Sequence, residues 1–334
     1  MRTKYSSDTS LWMKYSGLWR IGCLSPWGNP RAPSPAPPPP LPPPVMALPS
    51  PVPPTPPALA PFPPYNSPAD SPGAGGKAPL TARSGAPLSA VAGGWARALG
   101  HAVRTAGGTT ADTVHPRHVY WTGTLPSVLI GGGGAAAAAA DGDAEPLVVL
   151  YDGYPKARRH LLLLPARPDV APAVDRLTSS DRPAVAALVR LGGAIAAALA
   201  ADAGGGGGGG GAPPPRLGFH ALPSMSPLHL HLVSDDLAGS GMTSKRHYQS
   251  FASAFFVPAA AVLAALDAGG GFAVDADAAA AALRAPLVCH GCGAPARHMP
   301  HLRVHLRACA AGRRGPGQVA ARPVAVDAVV QGAP

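Results

Sequence analysis

The stretch Met225-Ser226-Pro227-Leu228-His229-Leu230-His231-Leu232-Val233 decides how this chain reads. Apolar and polar residues alternate in it with a period of two, the signature of a strand with one buried face. Leu228, Leu230 and Leu232 then point one way, and His229 and His231 the other. A core beneath the leucines would hold two imidazoles side by side on a rigid surface. Histidine is the side chain most readily poised as nucleophile or proton donor near neutral pH. The competing reading is a half-exposed strand whose outer face carries two histidines by chance.

Upstream, residues 217–222 read as a strand that returns through the turn Pro223-Ser224 into the histidine strand. Residues 147–151 are a short apolar run, Asp152-Gly153-Tyr154-Pro155 is a turn, and residues 159–165 are apolar again. The span 147–165 is therefore a hairpin. A helix opens at Asp181-Arg182-Pro183, with Asp181 as N-cap, and runs to about Ala203. Strands that return after short turns, together with one long helix, give an α+β fold: an antiparallel sheet with a packed helix. Residues 94–105 fit a short helix with Trp95, Leu99 and Val103 on one face, and residues 119–121 fit a further strand. Residues 258–268 and 277–284 read as helices, and residues 242–256 mix cations with aromatics.

The chain of 334 residues is long enough for two ordinary domains, but it holds 44 Pro and 41 Gly, and only 13% of its residues are charged. Homopolymer Gly and Ala runs cannot build a core, which leaves about half the chain ordered. Residues 1–92 read as a disordered Pro-rich leader, extended as polyproline II where residues 34–64 carry no charge. Residues 93–268 form the sheet domain, with low-complexity inserts at 131–143 and 204–211. Residues 269–312 form a cysteine module, and 313–334 a disordered tail. Met1 and Met46 are both candidate starts, and Arg2, Lys4, Lys14 and Arg20 against Asp8 give a faint organellar-transit pattern. The longest apolar run, 191–201 between Arg190 and Asp202, is too short to span a bilayer, so no membrane partner is expected. The net charge of +10 suits a polyanionic partner.

Cys289, Cys292 and Cys309 lie close together, while Cys23 stands apart. With His305 they form Cys-x2-Cys, twelve residues, His-x3-Cys, a zinc-finger spacing. This grouping favours a metal over a disulfide framework, and a reducing compartment. Zinc takes sulfur and nitrogen ligands tetrahedrally, and four protein ligands would make one closed, structural site. Pro300 can open a helix that places Leu302, His305, Leu306 and Cys309 on one face. His290, His298 and His301 compete as ligands. Residues 286–314 carry five arginines and no acid, which suits a DNA backbone or a merely solvated surface.

These segments together resemble the aprataxin family of the histidine-triad superfamily. The histidine strand is similar to the signature His-φ-His-φ-His-φ-φ, with its first histidine replaced by Pro227. Residues 154–160 (YPKARRH), residues 218–226 (GFHALPSMS) and residues 245–251 (KRHYQSF) carry the rest of the likeness, and the finger follows where that family puts it. It covers about residues 145–310; the forkhead-associated domain of animal members has no counterpart here, as in the shorter fungal forms. The resemblance implies a nuclear DNA-repair hydrolase, with a sheet of histidine-triad type, that removes AMP from 5′-adenylated ends. It implies His229 as nucleophile, His231 as stabiliser of the phosphate oxygens and His160 as acid to the leaving group. It further implies that Asp152 holds the ribose of AMP and that Lys156, His220, Ser224 and Lys245 touch the phosphates or the DNA end. Cys289, Cys292, His305 and Cys309 would hold one structural zinc. The expected partners are DNA with adenylated or nicked ends and AMP as product, handled by a monomer. Pro227 can neither ionise nor donate. The alternatives are therefore a weakened or inactive DNA-end-binding protein, and a general histidine-triad nucleotide hydrolase.

Overall fold

Alternation around position 230 builds the middle of a six-stranded antiparallel sheet. The computed structural model describes residues 62–70, 77–125, 144–204 and 213–309. Its strands are β1 (Val119–Leu125), β2 (Glu145–Tyr151), β3 (His160–Pro165), β4 (Arg216–His220), β5 (Leu230–Val233) and β6 (Phe256–Pro258). They lie in the order β1-β2-β3-β5-β4-β6. The expected hairpin is β2–β3, with Leu150 opposite Leu162. β5 is interior: His231 faces Leu162 on one side and Gly218 on the other. The histidine strand is shorter than its alternating pattern, because its ladder starts at Leu230 and leaves Pro227, which has no N–H to give, outside it.

Leu228, Leu230 and Leu232 are buried on one face against Val185, Leu188, Leu191 and Ile195 of the helix α3 (Arg182–Gly204). Each such leucine contributes about 2 kcal/mol through removal from water. Asp181 is not the N-cap of α3. It closes a preceding 3-10 turn, where its side chain and that of Thr178 form a capping box. Its other oxygen accepts the amide of Ala171 at 3.0 Å. That tertiary partner draws it one turn earlier than the local pattern implies. Alanines on both sides of Arg190 extend the apolar run, so Ser179–Asp202 is long and apolar enough to cross a membrane by length and composition. This corrects the sequence expectation; the helix instead packs on the sheet, with more than half of that apolar stretch buried.

The opposite face is covered by α1 (Leu88–Val91) and α2 (Ala98–Thr105). Leu88, Leu99 and Ala102 pack there on Val148, Leu150, Leu162 and Leu164. The leader expected to stay disordered to residue 92 is therefore ordered well before it: Thr81 bridges Pro87, Ala82 bridges Val114, and Leu88 is fully buried. Proline gives way there to apolar residues that the sheet can bury. Trp95 departs from the face it was expected to share with Leu99. It sits in a 3-10 turn before α2, stays half exposed, and sets its ring edge against Tyr154 at 5.4 Å. The low-complexity inserts, apart from Gly204 at the end of α3, and the tail from 313 lie outside the described residues.

The chain from 245 onward gives α4 (Lys245–Ala252), α5 (Ala259–Asp267), α6 (Ala276–Arg284) and α7 (Met299–Ala308). Tyr248, Phe251 and Phe256 share a single apolar cluster with Leu287, Cys289, Met299, Leu302 and Cys309. The cysteine module thus completes the core of the sheet domain instead of standing apart from it. Between β5 and α4, Gly239 and Gly241 donate their amides to the carbonyls of Lys156 and Pro155 at 3.1 and 2.8 Å. A Cβ on Gly241 would come within 2.3 Å of the Tyr154 carbonyl oxygen. Gly241→Ala is expected to push this loop off the β2–β3 turn and to cost about 2–3 kcal/mol, read as a lower urea midpoint with an unchanged slope.

Candidate active site and metal centre

The face of the sheet opposite the α3 side carries the histidines. His229 precedes β5, His231 lies within it, His160 begins β3 and His220 ends β4. Their rings form a chain: His160 to His231 at 5.3 Å, His231 to His220 at 4.3 Å and His229 to His231 at 5.0 Å between centroids. Phe251 of α4 closes the cluster, edge-on to His160 at 5.3 Å and His231 at 5.2 Å. Its role was not legible in sequence, although the 242–256 mixture of cations and aromatics singled out the segment.

The hydrogen bonds fix which nitrogens carry protons. The Pro227 carbonyl can only accept, so His229 Nδ1, at 2.9 Å, is the N–H and Nε2 holds a lone pair. The Lys156 amide can only donate, so His160 Nδ1, at 3.1 Å, accepts. The proton of neutral His160 is therefore on Nε2, and it is donated to His231 Nδ1 at 3.1 Å. His231 then carries its own proton on Nε2. That atom and Nε2 of His220 are buried with no hydrogen-bond partner among the described residues. Buried polar atoms are rarely left so, and two of them side by side mark a place built for a polar ligand.

Electrostatics agree with neutral rings. Burial pushes His160 down to about 4, with Asp152 opposing it. Burial also lowers His229, offset in part by the Pro227 carbonyl and Asp152. His220 and His231 lie well below the ordinary imidazole value, first through burial and then through neighbouring imidazoles. For Asp152, burial acts to raise the carboxyl, but His160, Lys156 and the Tyr154 amide outweigh it and hold it below its usual range. Its Oδ1 accepts that amide at 2.6 Å, and its Oδ2 is 3.6 Å from His160 Nδ1, too far for a hydrogen bond.

The fold thus gathers His160, His220, His229, His231 and Asp152, with Lys156 alongside, its ammonium donating to the Tyr154 carbonyl. Ser224 is exposed on the turn before Pro227. Lys245 is engaged elsewhere: its Nζ donates to the carbonyl of Arg284 at 2.8 Å, tying α4 to α6. Two further residues, silent in sequence, position the site. The Tyr65 hydroxyl accepts the His160 amide at 2.9 Å. Asp235 binds Arg216 Nε at 2.8 Å through Oδ1, and its carbonyl lies 2.8 Å from His290 Nε2.

The second cluster is the cysteine site. Ligand atoms of Cys289, Cys292, His305 and Cys309 all lie within 4.8 Å of one another. The sulfurs of Cys289 and Cys309 are 3.8 Å apart, and Cys292 Sγ is 3.2 Å from His305 Nε2. Two thiolates about 2.3 Å from one tetrahedral zinc would be about 3.8 Å apart, so the donor set fits zinc. Burial, with the neighbouring thiols, pushes the Cys289 thiol up to about 11; a dication among these donors reverses that balance. Two of the three competing histidines are otherwise engaged. His298 Nδ1 caps α7 by accepting the His301 amide at 3.1 Å, and His290 Nδ1 meets the Tyr248 hydroxyl at 3.1 Å.

A family model described as "Scavenger mRNA decapping enzyme C-term binding" matches residues 138–247, and one for a "C2HE / C2H2 / C2HC zinc-binding finger" matches residues 252–311. Aprataxin of Ciona intestinalis is 31% identical over 49% of this chain and 41% of its own length. Aprataxin of Gallus gallus is 32% identical over 49% of this chain and 48% of its own length. The chain therefore spans less than half the length of these curated relatives. A solved aprataxin ortholog, Hnt3 in complex with DNA, is 26% identical over 51% of this chain and 84% of its own, with a TM-score of 0.39. The antiparallel sheet is of histidine-triad type with a zinc-finger module at its C-terminal side. Through both halves of this match, the histidine sheet and the finger, the chain is similar to the aprataxins.

Proposed function

We propose that this chain is a nuclear DNA-repair hydrolase that removes AMP from 5′-adenylated DNA ends. The observation that carries the reading is the 2.9 Å bond from His229 Nδ1 to the Pro227 carbonyl, which leaves Nε2 unprotonated and aimed away from the backbone. His229 Nε2 attacks the α-phosphorus of the adenylate. The N–P bond forms as the bridging P–O bond breaks, and the 5′-phosphate of the DNA leaves as an anion, its charge met by a hydrogen bond from His231 Nε2–H, which His160 holds in place. Water then attacks phosphorus, the N–P bond breaks to restore neutral His229, AMP departs and the water proton passes to solvent. His231 Nε2–H and His220 Nε2 face the phosphate oxygens, while Asp152 and Lys156 border the pocket. The four-donor cysteine site holds zinc, which supplies structure. Basic α7 and its flanks, with Arg297, Arg303 and Arg307, lie along the DNA backbone.

Pro227 favours a second reading, a DNA-end binder whose chemistry has been lost with the first triad imidazole. One assay on adenylated nicked duplex separates the two. The hydrolase reading expects AMP release that His229→Ala lowers at least about 10³-fold, and that Pro227→His changes little, since the backbone carbonyl is already the acceptor. Release seen only in the Pro227→His protein would establish the binder.

Because the folded His160 sits near 4, below an unfolded imidazole at about 6.5, its contribution to stability is complete above pH 6.5 and is lost as pH falls toward 4. From this residue alone the protein should be roughly 2 kcal/mol less stable at pH 5 than at pH 7. AMP release should hold through the ordinary imidazole range and drop only in that lower window, as a pH–rate profile would show. Cys292→Ser, or chelation, should remove zinc as measured by metal analysis. It should also lower the melting temperature by several degrees, since Cys289 and Cys309 share a core with Phe251.

A further inference from the structure

We infer that residues 62–70, at the end of the proline-rich leader, are a strap that positions His160, with the Tyr65 hydroxyl as its working group. β2 ends at Tyr151, and beyond it the Asp152 amide still donates to the His160 carbonyl at 3.2 Å, but the return bond from the His160 amide does not go to the sheet. Tyr65 supplies the acceptor instead, at 2.9 Å. The strap is anchored on three sides. The Tyr120 hydroxyl donates to the Pro63 carbonyl at 2.9 Å, and the Tyr65 ring sits edge-on to Tyr151 at 5.5 Å. Within the strap Ser67 and Ala69 are buried. Phe62 and Tyr65 pack against the core that α3 shares with the sheet, on the face away from the imidazoles.

His160 is thereby held at four atoms: its amide by Tyr65, its carbonyl by the Asp152 amide, its Nδ1 by the Lys156 amide and its Nε2 by His231. Only the first of these comes from outside the sheet domain foreseen in the sequence. The amide bond sets where the first residue of β3 lies, and through the ring chain it sets the direction of His231 Nε2. Tyr65 touches no reacting atom, so it is a positioning residue, and this assignment rests on the hydrolase reading for its effect on rate.

The test uses the full chain with Tyr65→Phe, which keeps the ring and removes the hydroxyl that accepts the His160 amide, alongside Tyr120→Phe, which loosens the strap and leaves that acceptor in place. Hydrogen exchange at the His160 amide, followed by NMR of isotope-labelled histidines, should quicken by about tenfold in Tyr65→Phe and less in Tyr120→Phe. Amides of β2 should be unchanged. Release of AMP should show kcat lowered about three- to tenfold with KM within about twofold. Unchanged exchange at His160, exchange that quickens equally across β2 and β3, or an unchanged kcat beside faster exchange would overturn the inference. A wild-type chain that releases no AMP defeats the hydrolase reading alone, and the exchange comparison then decides whether the strap holds His160.

Discussion

The structure depends on the two-sidedness of β5 at an interior place in the sheet. Its leucines are committed to α3, and a one-residue slip would carry the imidazoles into that core. With register so constrained, His231 lies beside β3 and reaches His160, and His220 follows from the β4 partner. Helix α4 then lays Phe251 over the rings. Removing water from four neighbouring imidazoles keeps them neutral, and a neutral ring can accept at one nitrogen and donate at the other, as His231 does beside His160.

The finger is tied into the same arrangement. Tyr248 bonds the Val288 carbonyl and the His290 amide, both at 2.8 Å, and Gln249 bonds the carbonyls of Ala285 and Pro286 at 2.9 Å. Asp235, two residues beyond β5, joins Arg216 of β4 to His290, which stands between two cysteine ligands. The knuckle and the pocket floor therefore share one core, and the boundary drawn at residue 269 divides it.

Much of this was readable in advance because periodicity reports burial. The alternating leucines, the hairpin at 147–165 and the cysteine spacing each leave a local trace. What escaped was set by partners distant in sequence. Asp181 is drawn from the expected cap to Thr178 and Ala171. Lys245 donates to the Arg284 carbonyl thirty-nine positions on, a tie between α4 and α6 that no local pattern announces. Tyr65 sits among prolines and looks like linker, because nothing nearby reveals an amide lacking an acceptor ninety-five positions away. Leu88 was too isolated to outweigh the leader's composition, yet the sheet's second face needed covering.

The contact between His229 and residue 227 is made to a main-chain oxygen, which all twenty amino acids possess. The tautomer of the nucleophile candidate is consequently indifferent to which side chain occupies that position. A search keyed to three alternating imidazoles would pass over a chain whose acceptor for that ring is, as here, a main-chain oxygen.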